Sequence, residues 1–202
     1  LKEVIISGTR DVPAFYFSNI DVISKITIEN SVKKIGHSAF SGCSGLNEMH
    51  LPFVGEQAGS NTTLGYIFGT EAYLSGKATK QGSITYYLPI LLKTIEITDN
   101  NRIPSCAFMN SNLDNISIPL ATSIGEKAFY GCTYLKNITL PNQIKMIGLQ
   151  WFYDCINLEA IELPENINII GTSAFENCLA LKNINLENVQ EIYPFAFKNC
   201  EV

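Results

Sequence analysis

The sequence predicts a solenoid of stacked coils with a parallel β-sheet along one side, and three rows of residues sharing one period predict it. Phenylalanine returns at Phe17, Phe40, Phe108, Phe129, Phe152, Phe175 and Phe197, in steps of 23, 68, 21, 23, 23 and 22 residues. Five places before each stands an aliphatic residue: Val12, Ile35, Ile103, Ile124, Ile147, Ile170 or Ile192. The next residue is Gly36, Gly125, Gly148 or Gly171 in four coils and Pro13 or Pro104 in two, with Tyr193 the exception. Turn chemistry therefore recurs in phase with the core residues.

A second block follows each phenylalanine, clearest in Leu135-Lys-Asn-Ile138-Thr-Leu140-Pro141 and Leu158-Glu-Ala-Ile161-Glu-Leu163-Pro164. It starts at Leu1, Ile23, Leu46, Leu92, Leu113, Leu135, Leu158 and Leu181, so the steps are 22, 23, 46, 21, 22, 23 and 23. Because 46 is twice 23, one coil in the middle is expected to have lost its signature. Alternation of Ile and Leu with polar residues is the period-2 pattern of a strand with one buried face, and proline closes it. Eight strands are predicted, with a ninth possible in the irregular stretch.

The consensus L-x-x-I-x-L-P-x-x-V/I-x-x-I-G-x-x-A-F-x-x-C-x-x-L resembles the BspA-like leucine-rich repeats of bacterial surface proteins. The likeness covers nearly the whole chain and is closest over 141–181. Residues 52–91 depart from it, although Leu51-Pro-Phe-Val-Gly55 and Gly65-Tyr-Ile-Phe-Gly69 resemble an expanded coil that recurs in the same family. The resemblance implies a single leucine-rich-repeat domain over 1–202, an α/β-type horseshoe arc with a parallel β-sheet on its concave side. Short helical or turn segments would form the convex side. It further implies an extracellular module of the bacterial cell surface, non-catalytic, serving adhesion or protein binding. A structural spacer that projects another domain from the cell is the alternative. The chain starts inside a strand block and stops in mid-repeat, so a longer parent is expected, with signal and anchor outside this segment.

Composition agrees with this. At 202 residues and 46% hydrophobic content the chain can bury a continuous, elongated core. Nineteen acidic against fourteen basic residues give a net charge of −5, and no Lys/Arg cluster could follow a phosphate backbone, so nucleic acid is not an expected partner. No apolar run approaches the ~18 residues of a membrane span. Three Asn-x-Ser/Thr triplets, at Asn61, Asn115 and Asn137, are chance occurrences in an asparagine-rich bacterial chain.

Cys43, Cys132, Cys155, Cys178 and Cys200 each stand three residues after a ladder phenylalanine, where two other coils carry Ile20 and Ser111. Cys, Ile and Ser share a small packing position, whereas Cys106 falls out of phase, two residues before Phe108. In-register cysteines about 4.8 Å apart lie within disulfide range. Parallel side chains, however, keep their Cβ atoms farther apart than the ~3.8 Å that a disulfide prefers. Buried free thiols are expected. The only histidines, His37 and His50, stand in no C-x-x-C or H-x-x-x-H arrangement, so neither metal nor cofactor is expected. Cys43 with a histidine base, or Glu159 with Glu162 as paired carboxylates, would be the enzyme readings, and the repeat pattern accounts for both without catalysis.

Residues flanking the buried Ile and Leu of each strand project outward and stack into two rows. One row is Glu3, Lys25, Glu48, Thr94, Asn115, Asn137, Ala160 and Asn183; the other is Ile5, Thr27, His50, Glu96, Ser117, Thr139, Glu162 and Asn185. From them Lys25, His50, Glu96, Asn115, Asn137, Thr139, Glu162 and Asn183 are the predicted contacts of a macromolecular ligand, most simply a protein. The irregular stretch supplies an alternative in Tyr66, Tyr73 and Tyr87, because aromatic-rich insertions in repeat arrays can bind.

Overall fold

A computed structural model describes residues 2–99 and 102–202; Leu1, the start of the first strand block, lies outside the described residues. The first half contains β1 (Lys2–Ile6), β2 (Asp11–Val12), β3 (Ile23–Ile28), β4 (Lys34–Ile35) and β5 (Glu48–Leu51). The expanded coil follows, with a 3-10 turn (Leu64–Ile67), β6 (Gly76–Gln81) and β7 (Ile84–Pro89). Next come β8 (Thr94–Ile97), β9 (Arg102–Ile103), β10 (Asn115–Ser117), β11 (Ser123–Ile124), β12 (Asn137–Thr139) and β13 (Met146–Ile147). The chain closes with β14 (Ala160–Ile161), β15 (Ile169–Ile170), β16 (Asn183–Ile184) and β17 (Glu191–Ile192).

All eight predicted strands are present. β1, β3, β5, β8, β10 and β12 form one parallel sheet in that order, and β14 pairs with β16 in the same orientation. Their inward residues are the apolar positions of the repeat block, such as Met49, Leu51, Ile95, Ile97, Ile116 and Ile118, all buried. One expectation is corrected here: the 46-residue step hides no coil. β5 pairs directly with β8, setting Glu48 opposite Thr94, so a single expanded coil lies between them and the parallel sheet gains no ninth strand. The extra residues instead fold as the antiparallel hairpin β6–β7.

The opposite side is built from turns; the 3-10 turn at Leu64–Ile67 is the only helical element among the described residues. The aliphatic row generates a second parallel ladder of two-residue strands, β2–β4, β9–β11 and β13–β15–β17, in three pieces. Phenylalanine rings stack between the two ladders. Successive centroids lie 5.5 Å apart for Phe17–Phe40, 5.8 Å for Phe108–Phe129, 5.1 Å for Phe129–Phe152, 5.2 Å for Phe152–Phe175 and 5.4 Å for Phe175–Phe197. Phe68 continues the row in the expanded coil: it is fully buried, and Phe40 N–H donates to the Ile67 carbonyl as Phe17 N–H does to that of Ala39.

Backbone conformation repeats as strictly as side-chain type. Two residues before every ladder phenylalanine except Phe68 the chain is left-handed, at Phe15, Ser38, Cys106, Lys127, Gln150, Ser173 and Phe195. It is left-handed again two residues after, at Asn19, Gly42, Asn110, Gly131, Asp154, Asn177 and Asn199. The later row uses the residue types that tolerate positive φ at least cost. The earlier row does not, and each member costs on the order of 1 kcal/mol. The conformation aims those N–H groups at the next coil, as in Ser38 to Tyr66 O and Cys106 to Glu126 O. Cys106 is thus in phase after all, as a member of the first left-handed row. The Gly/Pro row has a different cause: a Cβ on Gly36 would come within 2.3 Å of the Ala14 nitrogen, so the coils touch there by backbone alone.

The sheet has one seam. Lys136 N–H donates to Asp114 O and Lys182 N–H to Glu159 O, but no such bond joins Glu159 to Lys136, and β12 does not pair with β14. β11 likewise does not pair with β13. At this boundary the coils are held by the phenylalanine side: Phe129 N–H to Trp151 O, Gly131 N–H to Tyr153 O, and Tyr130 stacked on Tyr153 at 4.7 Å.

Candidate binding face

The two outward rows stand in the register that the repeat predicts. Glu3, Lys25, Glu48, Thr94, Asn115 and Asn137 are successive partners across the six-stranded sheet. Ile5, Thr27, His50, Glu96, Ser117 and Thr139 form the parallel row, and Ala160 faces Asn183 beyond the seam. The middle of this face is a hollow of about 520 Å³ running from Glu48 and His50 to Ala160 and Glu162, floored by Ile95, Ile116, Ile138 and Ile161. Of the predicted contacts, His50, Glu96, Asn115, Asn137, Thr139 and Glu162 line it. Lys25 lies beyond one end, and Asn183 borders the adjoining hollow with Glu162, Glu165, Asn185 and Glu187.

Charge divides the face into two halves. Toward the N-terminus each carboxylate has a cationic or imidazole neighbour. Lys25 Nζ lies 3.0 Å from Glu48 and 3.9 Å from Glu3, while His50 sits between Glu48 at 2.6 Å and Glu96 at 2.9 Å. Both His50 contacts are hydrogen bonds only when each ring nitrogen carries a proton. The His50 ring first, and the Lys25 ammonium second, hold the Glu48 carboxyl below the usual carboxylate value. Toward the C-terminus the face is neutral amide and hydroxyl up to Asn137, whose Nδ2 donates to Asn115 Oδ1, and then acidic. Glu165 and Glu187 went unnoticed among the sequence candidates; the available signal was a carboxylate just beyond the strand block in two consecutive coils.

The tyrosines of the irregular stretch are drawn inward. Tyr66 packs against the core and edges onto the His37 ring at 5.2 Å, and Tyr73 and Tyr87 are part-buried. Burial pushes the Tyr73 hydroxyl above its ordinary pKa, and Tyr73 Oη, Thr63 Oγ1 and Gln81 Nε2 are buried without a hydrogen-bond partner. Phe53, Phe68 and Tyr86 are buried outright. Cys43 is no activated nucleophile: its S–H donates to Phe17 O at 3.1 Å, and burial raises its pKa to about 11. No group of three His, Cys, Asp or Glu side chains among the described residues could hold a metal ion, and no helix is long and apolar enough to cross a membrane.

The sequence profile of the BspA type leucine rich repeat region matches six copies, over residues 10–119 and 101–202. The chain belongs to the BspA-type leucine-rich repeat family. No functionally curated protein is significantly similar to it. Among solved structures, a leucine-rich repeat protein from Bacteroides ovatus superposes with a TM-score of 0.61 at 24% identity, over 99% of this chain and 50% of that one. A leucine rich cell surface protein from Faecalibacterium prausnitzii superposes with a TM-score of 0.54 at 26% identity, over 99% of this chain and 57% of that one. This BspA-type chain therefore spans about half the length of these two bacterial relatives, and shares with them a fold of stacked coils.

Proposed function

We propose that this repeat array is the protein-binding part of an exported bacterial surface protein, and that its partner lies across the outward face of the parallel sheet. The observation that carries this reading is the uninterrupted register of the two outward rows across six strands, with no element among the described residues packed over them. Family membership and the surface location named for the F. prausnitzii relative support export. Few aromatic anchors stand on the face, so affinity must come from many polar contacts worth about 0.5–1.5 kcal/mol each. The test is capture of extracellular-matrix proteins by the immobilised chain. Replacing His50, Glu96, Asn137 and Glu162 together with alanine should weaken capture more than replacing Tyr66, Tyr73 and Tyr87. The opposite order would move the site to the expanded coil. Indifference to both sets would favour a spacer, a role that the mutual engagement of Lys25, Glu48, His50 and Glu96 already suits.

A further inference from the structure

The C-terminal half of the sheet face differs from the N-terminal half in one respect: its carboxylates have no cations. Glu162, Glu165 and Glu187 are exposed and border one hollow of about 970 Å³, together with the amides of Asn183 and Asn185. None of the three makes an ion pair among the described residues, whereas Glu3 and Glu48 pair with Lys25 and Glu96 lies against the His50 ring. The nearest basic residue in the same coil, Lys182, pairs with Glu201 instead. This hollow adjoins the central one through Ala160, Ile161 and Glu162, so a single open trough runs over β5, β8, β10, β12, β14 and β16. Five strand spacings make it about 24 Å long, the reach of roughly seven extended residues.

We infer that this trough docks an extended, basic polypeptide segment, with Lys or Arg side chains set against Glu162, Glu165 and Glu187 and backbone amides against Asn137, Asn183 and Asn185. The inference rests on the reading of the sheet face as a protein-binding surface and assigns its partner a chemistry. Like charges held around a shared hollow repel, and a cationic ligand converts that repulsion into attraction; a neutral or acidic partner would leave it uncompensated. Lys25 and His50 at the far end, already engaged with carboxylates, limit the basic stretch to the C-terminal coils.

The probe is a fluorescent oligolysine peptide of about eight residues, titrated against the 202-residue chain by anisotropy, with oligoglutamate as the negative control. Binding should weaken steeply as salt rises from about 50 to 500 mM. Replacing Glu162, Glu165 and Glu187 with glutamine should weaken it roughly tenfold, as three exposed ion pairs each contributing a factor of a few would. Replacing Glu29, Glu71 and Glu126 changes net charge equally but away from the trough, and should leave affinity within about twofold. Equal loss in the two triple variants would reduce the effect to net charge and overturn the inference, as would indifference to both. A captured matrix protein that depends on the sheet face, yet ignores salt and is not displaced by oligolysine, would sink this inference alone. A captured protein indifferent to the sheet-face substitutions would sink the broader reading.

Discussion

Each thiol of the cysteine row reaches back one coil for its partner. Cys132 Sγ donates to Phe108 O at 3.1 Å, Cys155 to Phe129 O at 3.3 Å, Cys178 to Phe152 O at 3.0 Å and Cys200 to Phe175 O at 2.9 Å. The same position holds Ser111, whose hydroxyl contacts Cys132 Sγ in the next coil at 3.4 Å. All six cysteines are free. Burial raises the pKa to about 11 at Cys43 and Cys132, and well above the ordinary value at Cys155. Because the folded pKa exceeds the unfolded value of about 8.5, the folded state holds these protons longer. Their contribution is complete below about pH 8.5 and is lost as pH rises toward 11. Denaturation midpoints measured from pH 7 to 10 should therefore fall, and the fall should be smaller in Cys132→Ser. At pH 7 a thiol reagent should label few sites in the native protein and all six after denaturation. A pH-independent midpoint, or full native labelling, would contradict the burial of this row.

Strands and turns were legible in the sequence wherever a row of at least three alternating residues marked them. All eight long-ladder strands and the two polar rows followed from Leu, Ile and their neighbours. The direct joining of β5 to β8 did not, because 46 residues coincide with two periods, and Phe68 stands 28 and 40 residues from its neighbours in the ladder. Two-residue strands such as β13 and β15 leave no alternation to detect. The ion-pair chain from Glu3 to Glu96 was hidden for a related reason, since His50 meets Glu96 only once the 46-residue step is known to be a single coil. The seam between β12 and β14 also has no sequence signature, and amide exchange will reveal it. Asn137 N–H is bonded to Asp114 O, while Ala160 N–H has no corresponding bond to the coil before it. Exchange at Ala160 should exceed that at Asn137 by more than about tenfold. Equal protection of the two amides would close the seam.

As a whole the molecule is a one-dimensional stack in which each coil is supported only by its neighbours. Phe175 illustrates the consequence. It stacks on Phe152 and Phe197, donates its N–H to Ala196 O and accepts the Cys200 thiol. Phe175→Ala should cost about 3–5 kcal/mol in chemical denaturation. The opened amides should spread through the coils of Phe152 and Phe197 before reaching that of Phe40; an unchanged midpoint would mean that the ring is not part of the stack. The second left-handed row carries a different message. Gly131 lies beneath the Asn110 side chain, whose Oδ1 would be 2.1 Å from any Cβ there, whereas Asp154, Asn177 and Asn199 pass amide hydrogen bonds from one to the next. Neighbouring coils are fitted to each other's identity at this row, and the fit is directional. Coils of near-equal length and equal consensus therefore differ in what they present to their neighbours. A chain with the 135–157 coil moved ahead of the 113–134 coil would keep every motif and still set an aspartate where Gly131 now lies beneath Asn110, so the Asn110 side chain would have to swing aside. Each boundary thus carries its own pairing at this row, in residues that the consensus leaves blank.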